Sequence, residues 1–434
     1  MSRKALLGLV LLGWALRAAP LLSYPLDYDE GVYYSAAALW LKGCWPYRDF
    51  VFVHPPGILY ALLPFGLCQP SLGLLLARLA MTLVAAASIA MAATLSSRSF
   101  GPGAGYLTAF CYAIYPEAAA SERRLLLEPL LNALILGMLL STRGRAALWL
   151  GCALTVKAWA ALWLLAGWPR LRFYSLAALG VAALACAPPW LEAPQAFWQQ
   201  VVSFQLHRPA HDSDGLGLRL LDIFDARHLV ITGLAVLGWW RWRGKTLSEV
   251  STQIARAWML LILAMTLAPA HFFQYNTHLA VPECFWAGAA WPAVTLRPRL
   301  TALLLSVPFA FVLAGWLKSD AAMAERASLI RSLVGTESLY CFEPGHALWA
   351  DRLPDRGGGA PVIVDSYATM LIDAGPGFAT VPQAMSSHSA QTRLRQRLQV
   401  SQWLVVEERA HDQIDESWLN QHFKPRSGDL WHAR

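Results

Sequence analysis

Long apolar segments separated by short polar connections make up the first three quarters of the chain. An α-helix needs about 20 mostly apolar residues to cross a bilayer, and most of these segments approach that length. The pattern therefore predicts a mainly α protein, a polytopic membrane helical bundle. The predicted spanning segments are 5–22, 72–95, 104–121, 125–142, 173–191, 227–240, 257–270, 279–295 and 300–317.

Small clusters of basic residues occupy alternate short connections of this region, which predicts the orientation of the bundle. Short loops rich in Lys and Arg stay on the cytoplasmic side of a membrane. We therefore expect a cytoplasmic N-terminus and an extracytoplasmic C-terminus in the inner or plasma membrane. The basic connections are Arg3-Lys4, Arg98, Arg143/Arg145, Arg170/Arg172, Arg241/Arg243/Lys245 and Arg297/Arg299.

The interval between Arg145 and Arg172 is an apolar stretch with Lys157 in its middle. A single crossing here would move every later basic cluster to the outside. Two crossings keep those clusters inside, but each would have about 11 residues, roughly 17 Å of helix. We expect a short helical hairpin with Lys157 near its outward tip, which brings the total to about 11 crossings. An ordinary helix with an internally paired Lys157 is the alternative.

The first outer loop, residues 23–71, is long and half apolar. Its segments Val32–Lys42 and Ile58–Leu67 are too short to cross a bilayer, so we expect two helices that lie along the interface. With this loop, residues 1–317 are predicted to form one transmembrane domain.

Residues 318–434 have the composition of a soluble domain. The segments 338–342, 361–365 and 402–408 resemble short buried strands, with helical candidates at 345–353 and 390–399. Strands that alternate with helices predict a small extracytoplasmic α/β domain. Its function is not indicated by any motif.

Composition supports the membrane assignment. The chain is 56% hydrophobic and 15% charged, with a mean hydropathy of +0.40, which no water-soluble surface could accommodate. The net charge of +7 is distributed over the topology-setting clusters, so nucleic acid is excluded as a partner. Arg17 interrupts the first apolar run before any signal cleavage site, and we expect an uncleaved first helix.

The polar residues that could take part in catalysis or binding lie in connections predicted to face outward. Asp27, Asp29 and Glu30 directly follow the first helix, and Arg48 and His54 lie further along the same loop. Carboxylates beside cations at a membrane face suit sugar transfer from a phosphate leaving group. A carboxylate takes the acceptor proton, and the cations offset the charge on the departing phosphate.

Later outer segments contribute further candidates: Arg124, Glu128, Lys157, His207 and Arg208. Each group also has a structural interpretation. Asp29 and Glu30 could cap a helix, and Arg124 and Glu128 could pair across one helical turn.

His271, His278 and Glu283 could hold a metal ion, although their spacing is not diagnostic. Asp365, at the end of a predicted strand, suits a structural turn.

Six short motifs stand in these segments: DEGVY at 29–33, PYRDF at 46–50, HPPG at 54–57, RLLLEP at 124–129, LTVK at 154–157 and FQLHRP at 204–209. These motifs resemble those of the C-type-fold (GT-C) integral-membrane glycosyltransferases. This class includes the protein O-mannosyltransferases and the lipid A aminoarabinose transferase. The resemblance covers roughly residues 1–317 and is strongest in the first outer loop.

The resemblance implies a hexosyl- or pentosyltransferase that uses a polyprenyl-phosphate sugar on the outer face. Asp29 then matches the essential first-loop acid and general base, with Glu30 beside it, and Glu128 matches the second-loop acid that orients the acceptor or the base. His54 stands where relatives often have a lysine that contacts the lipid phosphate. The full set of donor-phosphate candidates is Arg48, His54, Arg124, Lys157, His207 and Arg208.

The resemblance leaves the remaining partners open. The acceptor is a lipid, a polysaccharide or a protein. Some members of the class require a divalent metal such as Mg²⁺ or Mn²⁺ and others do not.

Two other functions fit the composition. A transporter or lipid-linked-sugar flippase would use the polar groups as a conduit, but it would place charge near the bilayer midplane, often within related repeats. A scaffold without activity, whose soluble domain binds an outer partner, is the third hypothesis. Substitution of Asp29 separates the scaffold from an enzyme.

Overall fold

The computed structural model describes residues 1–23, 25–211, 216–318, 321–355 and 361–434. The chain is mostly helical and ends in a small four-stranded sheet. It divides into two compact units: unit 1 comprises Met1–Tyr24, Arg78–Ala185 and Asp214–Ser319, and unit 2 comprises Pro25–Ala77, Cys186–Ser213 and Asp320–Arg434. Unit 2 thus combines the segment that is predicted to be the first outer loop with a later segment and the C-terminal residues.

The first half of the described chain contains the following α-helices: α1 (Arg3–Ala18), α2 (Tyr28–Leu41), α3 (Gly57–Gly66), α4 (Pro70–Phe100), α5 (Pro102–Ala113), α6 (Pro116–Ser121), α7 (Leu127–Leu140), α8 (Arg143–Val156), α9 (Ala160–Ala166), α10 (Trp168–Leu171), α11 (Ser175–Glu192), α12 (Pro194–Phe197) and α13 (Phe204–Leu206). A π-helical turn, Trp198–Ser203, joins α12 to α13.

The second half contains α14 (Leu216–Ile223), α15 (Leu229–Trp242), α16 (Glu249–Leu267), α17 (Ala280–Ala289), α18 (Trp291–Leu296), α19 (Pro298–Ala314), α20 (Ala321–Leu329), α21 (Gly345–Trp349), α22 (Ser366–Ala374), α23 (Val381–Met385), α24 (His388–Leu398), α25 (Glu408–Gln413) and α26 (Glu416–His422). The strands are β1 (Leu339–Cys341), β2 (Trp403–Val405), β3 (Phe423–Ser427) and β4 (Leu430–Ala433). Short 3₁₀ segments cover Phe273–Leu279 and Gly315–Leu317, and a π-helical segment covers Ile330–Val334.

Four described helical segments are long and apolar enough to cross a membrane: Pro70–Phe100, Ser175–Glu192, Glu249–Leu267 and Pro298–Leu317. The predicted fold class, a helical membrane protein with a small C-terminal sheet, is confirmed. The number of about 11 crossings and the orientation stay predictions. The two short helices expected in the first outer loop are present as α2 and α3.

In unit 1, α17 packs against both α5 and α15. The α15–α17 contact is close, since a Cβ on Gly238 would lie 1.9 Å from the carbonyl oxygen of Trp286. A fully buried ion pair ties α1 to the same region: Arg17 Nε lies 2.7 Å from Glu122 Oε2. Arg17 also donates to the carbonyls of Gly13, Tyr112 and Ala113, which explains how a charge is tolerated in the first helix.

The chain breaks at Lys157, as the hairpin hypothesis expects. Helix α8 ends at Val156, Lys157 is extended (φ −154°, ψ 137°), and α9 begins at Ala160. Helix α8 also packs against α9 and α10. The outward orientation of this break stays a prediction.

In unit 2, the sheet has the strand order β1-β2-β4-β3. Strands β1 and β2 are parallel, with Leu339 opposite Trp403, and the other pairs are antiparallel. The predicted strands at 338–342 and 402–408 are therefore confirmed as β1 and β2. The strand predicted at 361–365 is wrong: Val362 makes only an isolated bridge to Phe50 of the first outer loop.

The apolar core of unit 2 is shared among distant parts of the sequence. Val53 of the first outer loop and Phe204 of α13 pack in one buried cluster with Leu394 of α24 and Leu404 of β2. A second cluster, including Ala327 and Val405, lies against β1 and β2. Burial of these side chains attaches the first outer loop to the C-terminal segment.

Candidate active site

The carboxylates of Asp27, Asp29 and Glu30 make different hydrogen bonds at the start of α2. Asp27 is the N-cap, and its Oδ1 accepts a hydrogen bond from the Asp29 amide at 3.1 Å. Glu30 completes a capping box, because its Oε2 accepts from the Asp27 amide at 2.9 Å. Glu30 is fully buried, whereas Asp29 is half-buried. The structural interpretation therefore holds for Asp27 and Glu30, and the Asp29 carboxylate is not part of the capping box.

An aromatic cluster connects Asp29 to His54. The Tyr33 hydroxyl, one helical turn after Asp29, donates to Asp29 Oδ2 at 3.4 Å. The Tyr33 ring meets the rings of His54 and Phe52 edge-on, with centroids 5.8 and 6.1 Å apart. Tyr33 thus contacts two predicted site residues, Asp29 through its hydroxyl and His54 through its ring.

Arg48 lies in a tight turn between α2 and α3. The preceding residue, Tyr47, has a positive φ of 69°, and Gln200 Nε2 donates to its carbonyl oxygen at 3.0 Å. Arg48 is exposed and contacts two carboxylates, at 2.9 Å from Asp49 and 2.6 Å from Glu192. A phosphate at Arg48 would therefore share the guanidinium with these two acids.

His207 and Arg208 follow α13. His207 is exposed, and its Nδ1 lies 2.9 Å from the Ser203 carbonyl oxygen. Arg208 lies over aromatic rings, 5.7 Å from the Tyr367 centroid and 5.9 Å from that of Phe204. Both residues line a surface groove whose other wall is formed by Leu371 and neighbouring residues at the end of α22.

Asp365 and Arg409, in the C-terminal part of unit 2, both contact Tyr28, the residue before Asp29. Asp365 caps α22 by accepting from the Ala368 amide at 2.8 Å, the structural role expected of it, and it also accepts from the Tyr28 hydroxyl at 2.8 Å. Burial raises the pKa of Asp365, while the charges of Arg208 and Arg409 oppose the rise. Sequence reasoning missed Arg409, because nothing in its local sequence relates it to the first loop.

In unit 1, the structure brings two other predicted residues into contact. Lys157 Nζ lies 2.6 Å from Glu128 Oε1, and both side chains are almost completely buried. Glu128 is in the first turn of α7, and Lys157 is placed by the break between α8 and α9. A cation thus neutralises this carboxylate.

Aromatic and polar side chains surround the Glu128–Lys157 pair. Lys157 Nζ lies 4.2 Å from the Tyr275 ring centroid and 5.7 Å from that of Trp159. His278 stacks on Trp159 and has its Nε2 3.9 Å from Glu128 Oε1. These contacts hold the ammonium group through its charge and through cation–π interactions.

Arg124 and Glu117, two further charged residues of unit 1, have contacts within its helices. The Arg124 amide donates to the Ser121 carbonyl oxygen at 3.1 Å, in the turn between α6 and α7. Glu117 is fully buried and lies 3.0 Å from His228 Nδ1.

The three residues considered for a metal have separate partners: His271 contacts Asn276, His278 contacts Asn132, and Glu283 contacts Thr232 and Tyr115. Within the described residues, no group of three or more His, Cys, Asp or Glu side chains is arranged to hold a metal ion.

No family model matches the sequence, and no curated protein matches it significantly. Solved structures, in contrast, share its fold. ArnT, the lipid A aminoarabinose transferase, from Cupriavidus metallidurans, solved with undecaprenyl phosphate bound, is 14% identical with a TM-score of 0.61, over 80% of this chain and 84% of that one. The archaeal oligosaccharyltransferase AglB from Archaeoglobus fulgidus, in complex with an inhibitory peptide and a dolichol-phosphate, is 9% identical with a TM-score of 0.61, over 92% and 68%.

Both neighbours have the C-type glycosyltransferase fold. The chain therefore has the GT-C fold that its first-loop motifs resemble.

Proposed function

We propose that this protein transfers a sugar from a polyprenyl-phosphate donor to an acceptor on the outer face of the membrane, with Asp29 as the general base. The observation that carries the proposal is the arrangement at the start of α2. Asp27 and Glu30 supply the capping box, and the Asp29 carboxylate meets the Tyr33 hydroxyl outside that box. A half-buried carboxylate at this position suits proton transfer.

In the proposed reaction, an acceptor hydroxyl or amine attacks the anomeric carbon of the sugar. Its proton passes to the Asp29 carboxylate, the bond from the anomeric carbon to the phosphate oxygen breaks, and polyprenyl phosphate leaves with the electron pair. Cations near the phosphate stabilise the charge that develops on it. Undecaprenyl phosphate in the ArnT structure and dolichol-phosphate in the AglB structure support this class of donor.

The roles of the other predicted residues are proposed from their surroundings and from the family resemblance. Arg208, which lies over aromatic rings, and His54, which contacts Tyr33, are donor-phosphate ligands. Arg48, Arg124, Lys157 and His207 remain candidates for the same role. Glu128 orients the acceptor or the base, and its charge is fixed by Lys157. Glu30 acts by holding the turn that carries Asp29.

The experiment that tests the proposal uses purified protein in lipid nanodiscs with a panel of polyprenyl-phosphate hexoses and pentoses. Release of free polyprenyl phosphate is followed for each donor, with and without extracted envelope lipids, polysaccharides and proteins as acceptors. We expect release with at least one donor. Movement of a labelled donor across proteoliposome membranes without any release would contradict the proposal and support a flippase.

A further inference from the structure

The C-terminal segment of unit 2 holds the side chain of Tyr28, the residue directly before Asp29. The Tyr28 hydroxyl donates to Asp365 Oδ1 at 2.8 Å and accepts from the Tyr367 amide at 3.1 Å. The hydroxyl also lies 3.3 Å from Ser366 Oγ. The N-terminal turn of α22 thus fixes the phenol end of Tyr28 by several hydrogen bonds.

The ring of Tyr28 is held from another direction by Arg409 of α25. The Arg409 guanidinium carbon lies 4.1 Å from the ring centroid, a cation–π contact. Arg409 is itself oriented by Glu343, whose Oε1 is 3.2 Å from its Nε. Burial lowers the pKa of Arg409. The nearby groups Tyr28, Glu343 and Asp29 raise it by more than burial lowers it, so the pKa of Arg409 lies above its usual value.

The topology of the sheet explains why these groups meet. Strands β1 and β2 are parallel neighbours, and Glu343 and Arg409 follow their carboxyl ends by two and four residues. The carboxyl edge of parallel strands is a common place for functional groups in α/β domains. In this protein that edge carries the groups that contact the first outer loop.

The backbone at the start of α2 also packs closely against the C-terminal segment of unit 2. A Cβ on Gly31 would lie 2.5 Å from the Gly345 backbone nitrogen, and a Cβ on Gly345 would lie 1.7 Å from Leu26 Cδ2. The start of α2 therefore approaches the start of α21 so closely that a Cβ on Gly31 would collide with the backbone of Gly345. This contact leaves little freedom for the turn that carries Asp29.

We propose that Arg409 and Asp365 are positioning residues, which clamp Tyr28 and thereby fix the place of the Asp29 carboxylate during sugar transfer. This inference rests on the proposed function. It gives the C-terminal segment a role in catalysis that its own sequence does not indicate. A misplacement of a reacting group by about 1 Å can cost about 100-fold in rate.

The test compares four variants in nanodiscs with the donor that the wild type uses. Arg409→Gln removes the cation, Arg409→Lys retains it, and Tyr28→Phe removes the hydroxyl but keeps the ring. Arg393→Gln is the matched control, because Arg393 pairs with Asp373 of the same segment, 2.9 Å away. We expect kcat to fall about 10- to 100-fold in Arg409→Gln and Tyr28→Phe, with the donor KM changed less than about threefold, partial recovery in Arg409→Lys, and no change in the control.

Two further readouts separate positioning from a general loss of folding. In an Asp29→Asn background, Arg409→Gln should cause no further loss of rate, because it acts through Asp29. Amide hydrogen exchange in the first turn of α2 should increase in Arg409→Gln and Tyr28→Phe and not in Arg393→Gln.

The outcomes distinguish this inference from the function on which it rests. If the wild type releases no polyprenyl phosphate from any donor, the proposed function fails and the clamp loses its catalytic meaning. If the wild type is active and Arg409→Gln behaves like Arg393→Gln, only the clamp is wrong. Equal losses in the wild-type and Asp29→Asn backgrounds would also overturn the clamp.

Discussion

Two buried carboxylates of unit 1 and one of unit 2 have different partners. In unit 1, Glu122 is paired with Arg17 at 2.7 Å and Glu128 with Lys157 at 2.6 Å. In unit 2, Asp365 accepts hydrogen bonds from the Tyr28 hydroxyl and the Ala368 amide, and burial raises the pKa of Asp365 and of Glu407. The first two carboxylates thus contact a buried cation, whereas these two hydrogen bonds to Asp365 come from uncharged donors.

This difference bears on which carboxylate is better placed to take the proton of the acceptor. Glu128 Oε1 is occupied by the Lys157 ammonium at 2.6 Å, and both side chains are almost completely buried. Asp29 is in unit 2, half-buried, with a phenol as a hydrogen-bond donor. The contrast supports Asp29, rather than Glu128, as the base.

The largest effect is expected from breaking a matched pair in unit 1. Lys157→Met leaves Glu128 buried without its cation and should destabilise the fold by about 3–5 kcal/mol. The double variant Lys157→Met/Glu128→Gln should recover most of that loss. Unfolding of the detergent-solubilised protein by SDS measures both effects, and a single variant as stable as the wild type would show that the pair does not stabilise the fold.

An intermediate effect is expected from Glu407. Burial and then the charge of Glu343 raise its pKa from 4.5 to about 8, and within the described part of the chain neither carboxylate oxygen accepts a hydrogen bond. An acid whose pKa is higher in the folded state stabilises the protein most below the unfolded pKa, and this stabilisation is lost as the pH rises through the folded pKa.

His346 acts in a different pH window. Burial, and then Arg326, lower its pKa from 6.5 to about 3, so its contribution is present above pH 6.5 and is lost as the pH falls. Between pH 6.5 and 8 the titration of Glu407 should lower the stability by up to about 2 kcal/mol. Thermal unfolding across this range should show a smaller fall in Glu407→Gln than in the wild type; equal falls in the two proteins would contradict the raised pKa of Glu407.

The smallest effect is expected at Glu30, and it separates the role of Glu30 in the capping box from the proposed role of Asp29 as the base. Glu30→Gln keeps an oxygen to accept the Asp27 amide hydrogen bond, so the capping box should survive. Loss of a whole capping interaction typically costs about 1 kcal/mol. Because the capping box is kept, we expect a stability within about 0.5 kcal/mol of the wild type and a kcat within about threefold of it. Loss of transfer with normal folding would assign the charge of Glu30 to the chemistry.

Much of the fold was predictable because it depends on local patterns. Apolar length predicted the helical bundle, and the charge pattern around Lys157 predicted a break that the structure contains between α8 and α9. Apolar runs also predicted β1 and β2. The segment 361–365 has the same composition, yet it makes only one bridge, with Phe50, because strand formation depends on a partner elsewhere in the chain.

The candidate site was predictable only in part. Asp29, His54 and Arg48 stand in motifs of one loop, and Glu128 and Lys157, 29 residues apart, stand in two further motifs. Their pairing could not be predicted, because it depends on how α7 packs near the end of α8. Arg409 lies 380 residues after Asp29, and only the parallel pairing of β1 with β2 and the capping of α22 bring its neighbours to Tyr28.

Single-turnover release of polyprenyl phosphate by Asp29→Asn, compared with the wild type and with Glu128→Gln in the same nanodiscs, tests the central claim most directly. Loss of a general base typically costs about 10²–10⁴-fold in rate. We predict a loss of that size for Asp29→Asn with normal folding, and a smaller loss for the folded fraction of Glu128→Gln. A wild-type rate in Asp29→Asn would contradict the account and remove Asp29 from the mechanism.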